Sequence, residues 1–206
     1  MIHLKLVSNK ITLFVFFSGL ISFLFFGCAK KFPEQKDISG NNYVLLNQDS
    51  EKVNFPSDFK GKILVITFIY TNCPDICPMT THNMQMVQQK LAKVGITGVQ
   101  FAAMSFDPRR DTPKVLKEYA EVRDMDLKNF IFLTGNEKNI ESILHEFDFI
   151  AIPGDTTFVD KKRPVYFYTH TDKLFLIDKQ GIIRNEYRGS KLNSQKLISD
   201  IKSLED

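Results

Sequence analysis

Hydrophobic and polar positions alternate with several different periods along the chain, and each period predicts a different kind of element. Three continuous apolar runs rich in β-branched residues are typical of strands buried on both faces. These runs span residues 63–70, 98–106 and 130–133. Elsewhere apolar residues recur every three or four positions, which predicts amphipathic helices. The predicted helices span residues 78–93, 112–122, 136–147 and 193–204.

Two pairs of short apolar segments flank turn-forming residues and predict β-hairpins. The first pair is Tyr43–Leu46 with Lys52–Phe55, and the second is Leu174–Ile177 with Ile182–Tyr187. Residues 150–169 follow neither period, and we interpret them as an inserted excursion before His170, with an ordinary surface loop as the alternative. Strands that alternate with helices, followed by a hairpin and a last helix, predict an α/β thioredoxin-like fold. Its mixed central sheet is flanked by helices and preceded by an N-terminal hairpin.

The N-terminus has the layout of an export signal. Lys5 and Lys10 precede an apolar run over residues 11–26. That run lies at or just below the length of a helix that crosses a hydrocarbon core of about 30 Å. It ends in Gly27-Cys28, which resembles the cleavage site of bacterial lipoproteins, where the cysteine carries the lipid. An uncleaved transmembrane anchor is the alternative, and both interpretations predict a membrane-anchored, extracytoplasmic protein.

Composition indicates one folded domain behind this anchor. The chain has 206 residues, of which 43% are hydrophobic and 25% charged, enough for one compact core. We therefore divide it into a signal, lipoprotein or membrane-anchor segment over 1–28, a linker over 29–40 and the folded domain over 41–206. The net charge of +3 is small and scattered, so nothing suggests a nucleic-acid partner.

The chain has three cysteines, and lipidation of Cys28 would leave the pair Cys73 and Cys77. A disulfide between residues so close in sequence restricts the unfolded chain little, so the pair indicates redox or metal chemistry rather than a structural staple. Two small buried hydrophobic residues are the alternative. Pro78 is typical of a first helical residue, which places Cys77 near the positive end of a helix. We therefore expect Cys77 to be the more acidic thiol.

Three segments resemble the Sco/SenC family in the family's own order. Residues 60–78 contain the two cysteines, separated by three residues, between a hydrophobic strand and a helix. Residues 105–113 contain Asp107-Pro108 and Asp111-Thr112-Pro113, and residues 168–178 contain His170. The resemblance covers the chain from about Tyr43 to Leu204.

This resemblance implies that Cys73, Cys77 and His170 bind copper in either oxidation state. It also implies a role in assembling the binuclear copper centre of cytochrome c oxidase, with the copper-centre subunit as partner at the outer face of the membrane. The chemistry of the donors agrees, because two thiolates and an imidazole suit Cu(I), whereas structural zinc usually takes four protein ligands. A thiol-disulfide oxidoreductase acting on that subunit's cysteines and a copper or redox sensing module remain alternatives, and a metallochaperone fits better than an enzyme.

Other polar and sulfur-containing residues receive simpler interpretations. Asp111 precedes Thr112-Pro113, so we assign it to the start of a helix, while Asp107 would shape the pocket near Cys73 without being a ligand. His82 and His145 are expected at or near the surface. The methionines of the domain's helices and strands are expected to fill the core, and those considered are Met79, Met84, Met86 and Met104.

Overall fold

The computed structural model describes residue 32 and residues 34–155, 157–159 and 163–205. All elements described below belong to one compact unit, Glu34–Asp206. The predicted export segment and Cys28 lie outside the described residues. Within those described ranges, no helix combines the length and the apolar character that crossing a membrane requires.

Strands and helices alternate through the middle of the chain. The strands are β1 (Lys36–Asp37), β2 (Tyr43–Asn47), β3 (Lys52–Phe55), β4 (Ile63–Ile69), β5 (Val99–Ser105), β6 (Phe130–Thr134), β7 (Ala151–Pro153), β8 (Thr157–Val159), β9 (Arg163–Val165), β10 (Tyr168–His170), β11 (Leu174–Ile177) and β12 (Ile182–Tyr187). The helices are α1 (Ile76–Lys93), α2 (Pro113–Val122), α3 (Glu137–Glu146) and α4 (Ser194–Glu205), and a short 3-10 helix spans Ser57–Phe59. These bounds confirm the predicted helices, strands and hairpins to within a few residues.

The main sheet among the described residues has eight strands in the order β1-β12-β11-β4-β5-β6-β2-β3. Strands β4, β5 and β6 run parallel, and every other pairing in this sheet is antiparallel. Parallel neighbours need a crossover between them, which α1 and α2 supply. The mixed sheet with flanking helices confirms the predicted α/β thioredoxin-like fold.

The core lies on both faces of the central strands. Every residue of β4 is buried, which explains why its sequence is a continuous apolar run rather than an alternating one. On one side, four phenylalanines from distant elements pack edge to face or tilted around one another, with ring centroids 4.9–6.1 Å apart. They are Phe55, Phe68, Phe147 and Phe175. This cluster ties α3 and β3 to the centre of the sheet.

The sheet begins earlier than the sequence suggests. Lys36 and Asp37 pair with Ile183 and Ile182 of β12, and Ile38 is completely buried. Residues 36–38 thus belong to the folded unit, although we assigned them to the linker. A single apolar residue among polar ones carries too weak a period to predict a strand.

Helix α1 buries one face, and that face differs in part from the predicted one. Val87 and Leu91 are buried as expected, but Met79 is 47% exposed and Met86 is 38% exposed. The predicted core positions of these two methionines are therefore wrong. Met84 is fully buried, because the buried stripe follows Cys77 at helical spacing through residues 80, 81, 84, 87, 88 and 91.

The excursion before His170 is a pair of antiparallel ribbons separate from the main sheet. Strand β7 pairs with β10, so that Ala151 lies opposite His170 and Pro153 opposite Tyr168. Strands β8 and β9 pair with each other within the excursion. The residues between β6 and β11 therefore leave the sheet and return to it beside β4, and His170 lies near the end of that return.

Candidate metal centre

The two cysteines lie where β4 passes into α1, at the carboxyl end of the central strand. After Ile69 the chain turns, and Asp75 accepts a hydrogen bond from the backbone N–H of Ile76 to begin the helix. The helix thus starts two residues before Pro78, so Cys77 is its second residue instead of its cap. The N–H of Cys77 donates to Cys73 Sγ at 3.4 Å, which directs an unpaired helix N-terminal donor at that sulfur.

His170 reaches both cysteines from the neighbouring ribbon. Its Nε2 lies 3.8 Å from Cys73 Sγ and 4.0 Å from Cys77 Sγ, and one donor atom from each of the three residues lies within 4.8 Å of the others. Nδ1 lies 2.8 Å from the carbonyl oxygen of Thr171. Because a carbonyl only accepts, Nδ1 carries a proton. Nε2 therefore faces the sulfurs: it donates to the Cys73 thiolate while the ring is protonated, and it presents a lone pair once that second proton has left.

Three aromatic rings surround the imidazole of His170. The ring centroids of Tyr70, Phe106 and Phe149 lie 5.9, 5.2 and 6.3 Å from it, and the Phe149 ring is nearly parallel to it, at 16°. Tyr70 follows β4 and Phe106 follows β5, so the strand ends that approach the cysteines also supply the walls of the site. The rings fix the plane of the imidazole and exclude water from one side. We predicted no role at the site for any of these rings. Tyr70 and Phe106 end the predicted strands 63–70 and 98–106, so their position was visible in the sequence, whereas nothing there marks Phe149, which lies between α3 and β7.

The two thiols differ sharply in acidity. The pKa of Cys73 is lowered from its ordinary value of 9.0 to about 4, first because the Cys77 thiol donates a hydrogen bond to the Cys73 thiolate. His170 and the N–H of Cys77 lower it further, against the opposing effect of burial. The same hydrogen bond between the Cys77 thiol and the Cys73 thiolate raises the pKa of Cys77, and burial raises it further.

Our prediction that Cys77 is the more acidic thiol is therefore wrong. Cys77 does lie in the first turn, but its side chain is only 1% exposed and the free N–H of that turn points at the sulfur of Cys73. The helix N-terminus thus stabilises the neighbouring thiolate. The pKa of His170 is raised, because its contacts with Cys73 and the Thr171 carbonyl outweigh the larger single effect of burial in the opposite direction.

Asp111 anchors the loop that carries Cys73. Its carboxylate is fully buried and accepts the N–H of Thr71 at 3.0 Å, the hydroxyl of Thr71 at 2.6 Å and the hydroxyl of Ser105 at 2.6 Å. Burial raises the pKa of this carboxyl. The helix does begin here as predicted, but Thr112 caps it by accepting from Val115 N–H. Asp111 therefore joins the ends of β4 and β5 beneath the cysteine loop, and our assignment of it to the helix start is wrong.

Asp107 acts on the segment that leads to His170. It forms a buried ion pair with Arg110 and accepts the hydroxyl of Tyr166 at 3.1 Å. The Arg110 guanidinium also lies over the Tyr166 ring, 3.7 Å from its centroid, and donates to the Tyr166 carbonyl at 3.2 Å. Asp107 thus shapes the site from the histidine side. It does not belong to the donor group of the centre.

The two remaining histidines of the domain, His82 and His145, are exposed, as predicted.

Comparison with known proteins identifies several similar chains. The family model for SCO1/SenC matches residues 32–206. The SCO1 protein homolog of Bacillus subtilis is 30% identical over 188 residues, which cover 90% of this chain and 93% of that protein. Among solved structures, Bradyrhizobium japonicum ScoI with copper bound has a TM-score of 0.67 and 26% identity, over 80% of this chain and 98% of its own. A structure of BsSco, described as a member of the Sco family of cytochrome c oxidase assembly proteins with a disulfide switch, has a TM-score of 0.67. It is 27% identical, over 85% of this chain and 98% of its own.

Proposed function

Since this chain belongs to the SCO1/SenC family, we propose that it is a copper metallochaperone whose ligands are Cys73, Cys77 and His170. The observation that carries the proposal is the convergence of two sulfurs and one imidazole nitrogen within 4.8 Å of one another. Thiolate sulfur is a soft donor that selects Cu(I), and the imidazole nitrogen extends the donor set to Cu(II).

The three donors would contribute differently to binding. Cys73 is already a thiolate near neutral pH, because its pKa is lowered to about 4. Cys77 keeps its proton in the metal-free site, since burial and the neighbouring thiolate raise its pKa. His170 offers Nε2 once that atom is free of a proton, because Nδ1 keeps its own proton against the Thr171 carbonyl. Copper binding would therefore release the proton of Cys77, together with any proton held on Nε2 of His170, into the solvent.

The destination that we propose for the metal is the copper-centre subunit of cytochrome c oxidase. Two comparisons support this destination. The similar ScoI structure has copper bound, and BsSco is described as belonging to a family of cytochrome c oxidase assembly proteins. The two structures cover 80% and 85% of this chain.

We also propose that the domain is held at the outer face of the membrane by its N-terminus. The support is the sequence, in which Gly27-Cys28 closes an apolar export run. Replacing Cys28 by Ser should abolish incorporation of radiolabelled fatty acid and leave an unprocessed precursor. If the wild-type protein never takes up label, lipidation of Cys28 is refuted and an uncleaved transmembrane helix would be the anchor instead.

Copper titration of a protein spanning residues 29–206 tests the ligand set. We expect one Cu(I) or one Cu(II) per chain, with sulfur-to-copper absorption and an electron paramagnetic resonance signal for Cu(II). His145→Ala is the matched control, because it removes an exposed histidine outside the centre. Cu(II) binding by His170→Ala equal to that of the wild type would contradict the three-ligand proposal.

A thiol-disulfide reductase is the second candidate, and the acidity of Cys73 favours it. The Cys73 thiolate would attack a sulfur of a partner disulfide and form a mixed disulfide, with the other partner sulfur leaving as thiolate. Cys77 would then lose its proton and attack Cys73 Sγ, which releases the reduced partner and oxidises the pair. Restored oxidase assembly in cells by a His170→Ala protein that no longer holds Cu(II) would favour this function over copper delivery.

A further inference from the structure

The face of the β7 and β10 ribbon that points away from the metal centre is apolar. Residues opposite one another in an antiparallel pair point to the same side, and successive residues of a strand point to opposite sides. Beyond the paired residues of β7 and β10, Thr171 N–H donates to the Ile150 carbonyl at 2.9 Å. At the other end of the ribbon, Gly154 N–H donates to the Phe167 carbonyl at 2.7 Å. Ile150, Ile152 and Phe167 therefore project from one side, which we call the outer ribbon face.

These three side chains are well exposed, although they are large and apolar. The exposed fractions of Ile150, Ile152 and Phe167 are 58%, 59% and 58%. His170 and Tyr168 alternate with them and point to the opposite side, where both are partly buried. A ribbon with one buried face normally presents polar residues on the other. A contiguous exposed apolar face instead marks a contact with a protein or a membrane.

The N-terminal end of the domain lies beside this ribbon. Lys36 in β1 donates to the Glu146 carbonyl and lies 4.0 Å from the carboxylate of Asp148, which stands two residues before Ile150. From Cys28 to Lys36 the chain advances by eight residues, which span at most about 29 Å. A bilayer that holds the N-terminus would therefore lie within reach of the outer ribbon face.

We propose that the outer ribbon face rests on the lipid surface that holds the N-terminus, an inference that depends on the proposed membrane anchor. Isoleucine and phenylalanine side chains bind at the boundary between headgroups and acyl chains by burying apolar surface there. Asp148 and Asp155 precede and follow β7, and both are exposed. Attraction to anionic lipid therefore does not hold this face, and a zwitterionic bilayer is enough.

Contact with the bilayer would fix the orientation of the metal centre. The anchor alone tethers the domain but leaves it free to rotate, whereas a second point of contact restricts that rotation. The tether also keeps the ribbon at a high local concentration near the bilayer, so a weak apolar contact is sufficient. His170 lies on the inner side of the same two strands, so its imidazole would be held above the lipid surface. A membrane-bound recipient of copper would then meet the centre at a constant height.

Tryptophan fluorescence tests the contact in the full chain, because the chain contains no tryptophan of its own. A Phe167→Trp chain is reconstituted in phosphatidylcholine vesicles whose acyl chains carry bromine, a quencher of tryptophan emission on contact. We expect bromine to lower the emission about twofold or more, since the ring would lie at the boundary of headgroups and acyl chains. Ile152→Trp, on the same face, should be quenched too. Val122→Trp is the matched control, because Val122 is 81% exposed at the end of α2, and its emission should not change.

A second pair of variants keeps the Phe167→Trp reporter and alters its surroundings. Ile150→Ser together with Ile152→Ser should reduce the quenching by bromine, because the apolar face is lost. Val44→Ser together with Val94→Ser makes the same kind of change at exposed positions elsewhere and should leave the quenching as it was. Equal effects of the two double substitutions would overturn the outer ribbon face as the site of contact.

Flotation of the vesicles separates failure of this contact from failure of the anchor. Phe167→Trp emission that bromine leaves unchanged in chains that float with the vesicles, or quenching equal to that of Val122→Trp, would overturn the contact and leave the anchor standing. Chains that leave the vesicles during flotation would refute the proposed anchor and this contact with it. Emission that responds to the copper-centre domain of the oxidase and not to bromine would assign the face to that protein instead of lipid.

Discussion

Replacing Cys77 by Ala should make Cys73 a weaker acid. The pKa of Cys73 is about 4, and the hydrogen bond from the Cys77 thiol is the largest cause of its departure from 9.0. A hydrogen bond to a charged group contributes about 1.5–3 kcal/mol, which at about 1.4 kcal/mol per pKa unit corresponds to about 1–2 units. The remaining donors, His170 and the N–H of residue 77, stay in place. We therefore expect the pKa of Cys73 in Cys77→Ala to rise by that amount and to stay below 9.0.

Thiolate absorbance of the metal-free, reduced protein measures this change. When the wild-type protein is titrated from pH 9 downward, the absorbance of the Cys73 thiolate should persist to about pH 4. In Cys77→Ala, the same absorbance should disappear at a higher pH. Cys77→Ser is the matched control, because its hydroxyl can still donate to Cys73 and the pKa should rise less. A wild-type titration with no thiolate below pH 8, or identical curves for wild type and Cys77→Ala, would refute this account of the acidity.

The same pKa fixes the sign of a pH effect on folding. Because the folded pKa of Cys73 lies below the unfolded value of 9.0, ionisation of Cys73 stabilises the fold fully above pH 9. That contribution declines as the pH falls and is lost on passing through about 4. The difference in unfolding free energy between wild type and Cys73→Ala should therefore shrink steadily between those limits. A difference in unfolding free energy that grows toward acid pH would contradict the lowered pKa of Cys73.

Three further substitutions test other parts of the structure. His170→Ala should lose stable Cu(II) and its sulfur-to-copper band while the two thiolates still bind Cu(I) more weakly, as absorption and paramagnetic resonance would show. Asp111→Asn should cost about 1–3 kcal/mol in urea unfolding, since an amide has one acceptor oxygen for the donors of Thr71 and Ser105. An unchanged unfolding midpoint would contradict the anchoring role. Phe147→Ala should cost about 3–5 kcal/mol, because the ring is 1% exposed and packs on other phenylalanines, and a cost under about 1 kcal/mol would contradict that packing.

Much of the architecture could be predicted because the central strands are buried on both faces. A run such as Ile63–Ile69 has no polar alternation, so its period and its place at the centre of the sheet follow together. The donors were also predictable, since Cys73 and Cys77 stand at a strand-to-helix junction and the histidine segment resembles a known family. Strand β1 was missed because Ile38 is an isolated apolar residue.

The relations between distant segments were not predictable from local pattern. Asp111 before Thr112-Pro113 matches the start of a helix, and nothing in that pattern reveals that Thr71, 40 residues earlier, donates to its carboxylate. The order of thiol acidities likewise depends on where one N–H points, which spacing does not specify. Met79 was misplaced because both faces of α1 contain apolar residues, so the amphipathic pattern alone did not identify the buried one.

The ribbon of β7 and β10 gives the third donor a local stability of its own. Cys73 and Cys77 lie in the turn and the helix that directly follow β4, at the centre of the main sheet, whereas His170 belongs to a two-stranded unit whose pairing is independent of that sheet. Opening of the ribbon would lower the coordination number of a bound ion from three to two while the core stays folded. On the proposed three-ligand site, the free energy that governs release of the metal would then be that of a sub-global opening. Amide hydrogen exchange at Thr169 and His170 would report it separately from the exchange of β4, whose amides open only with the whole domain.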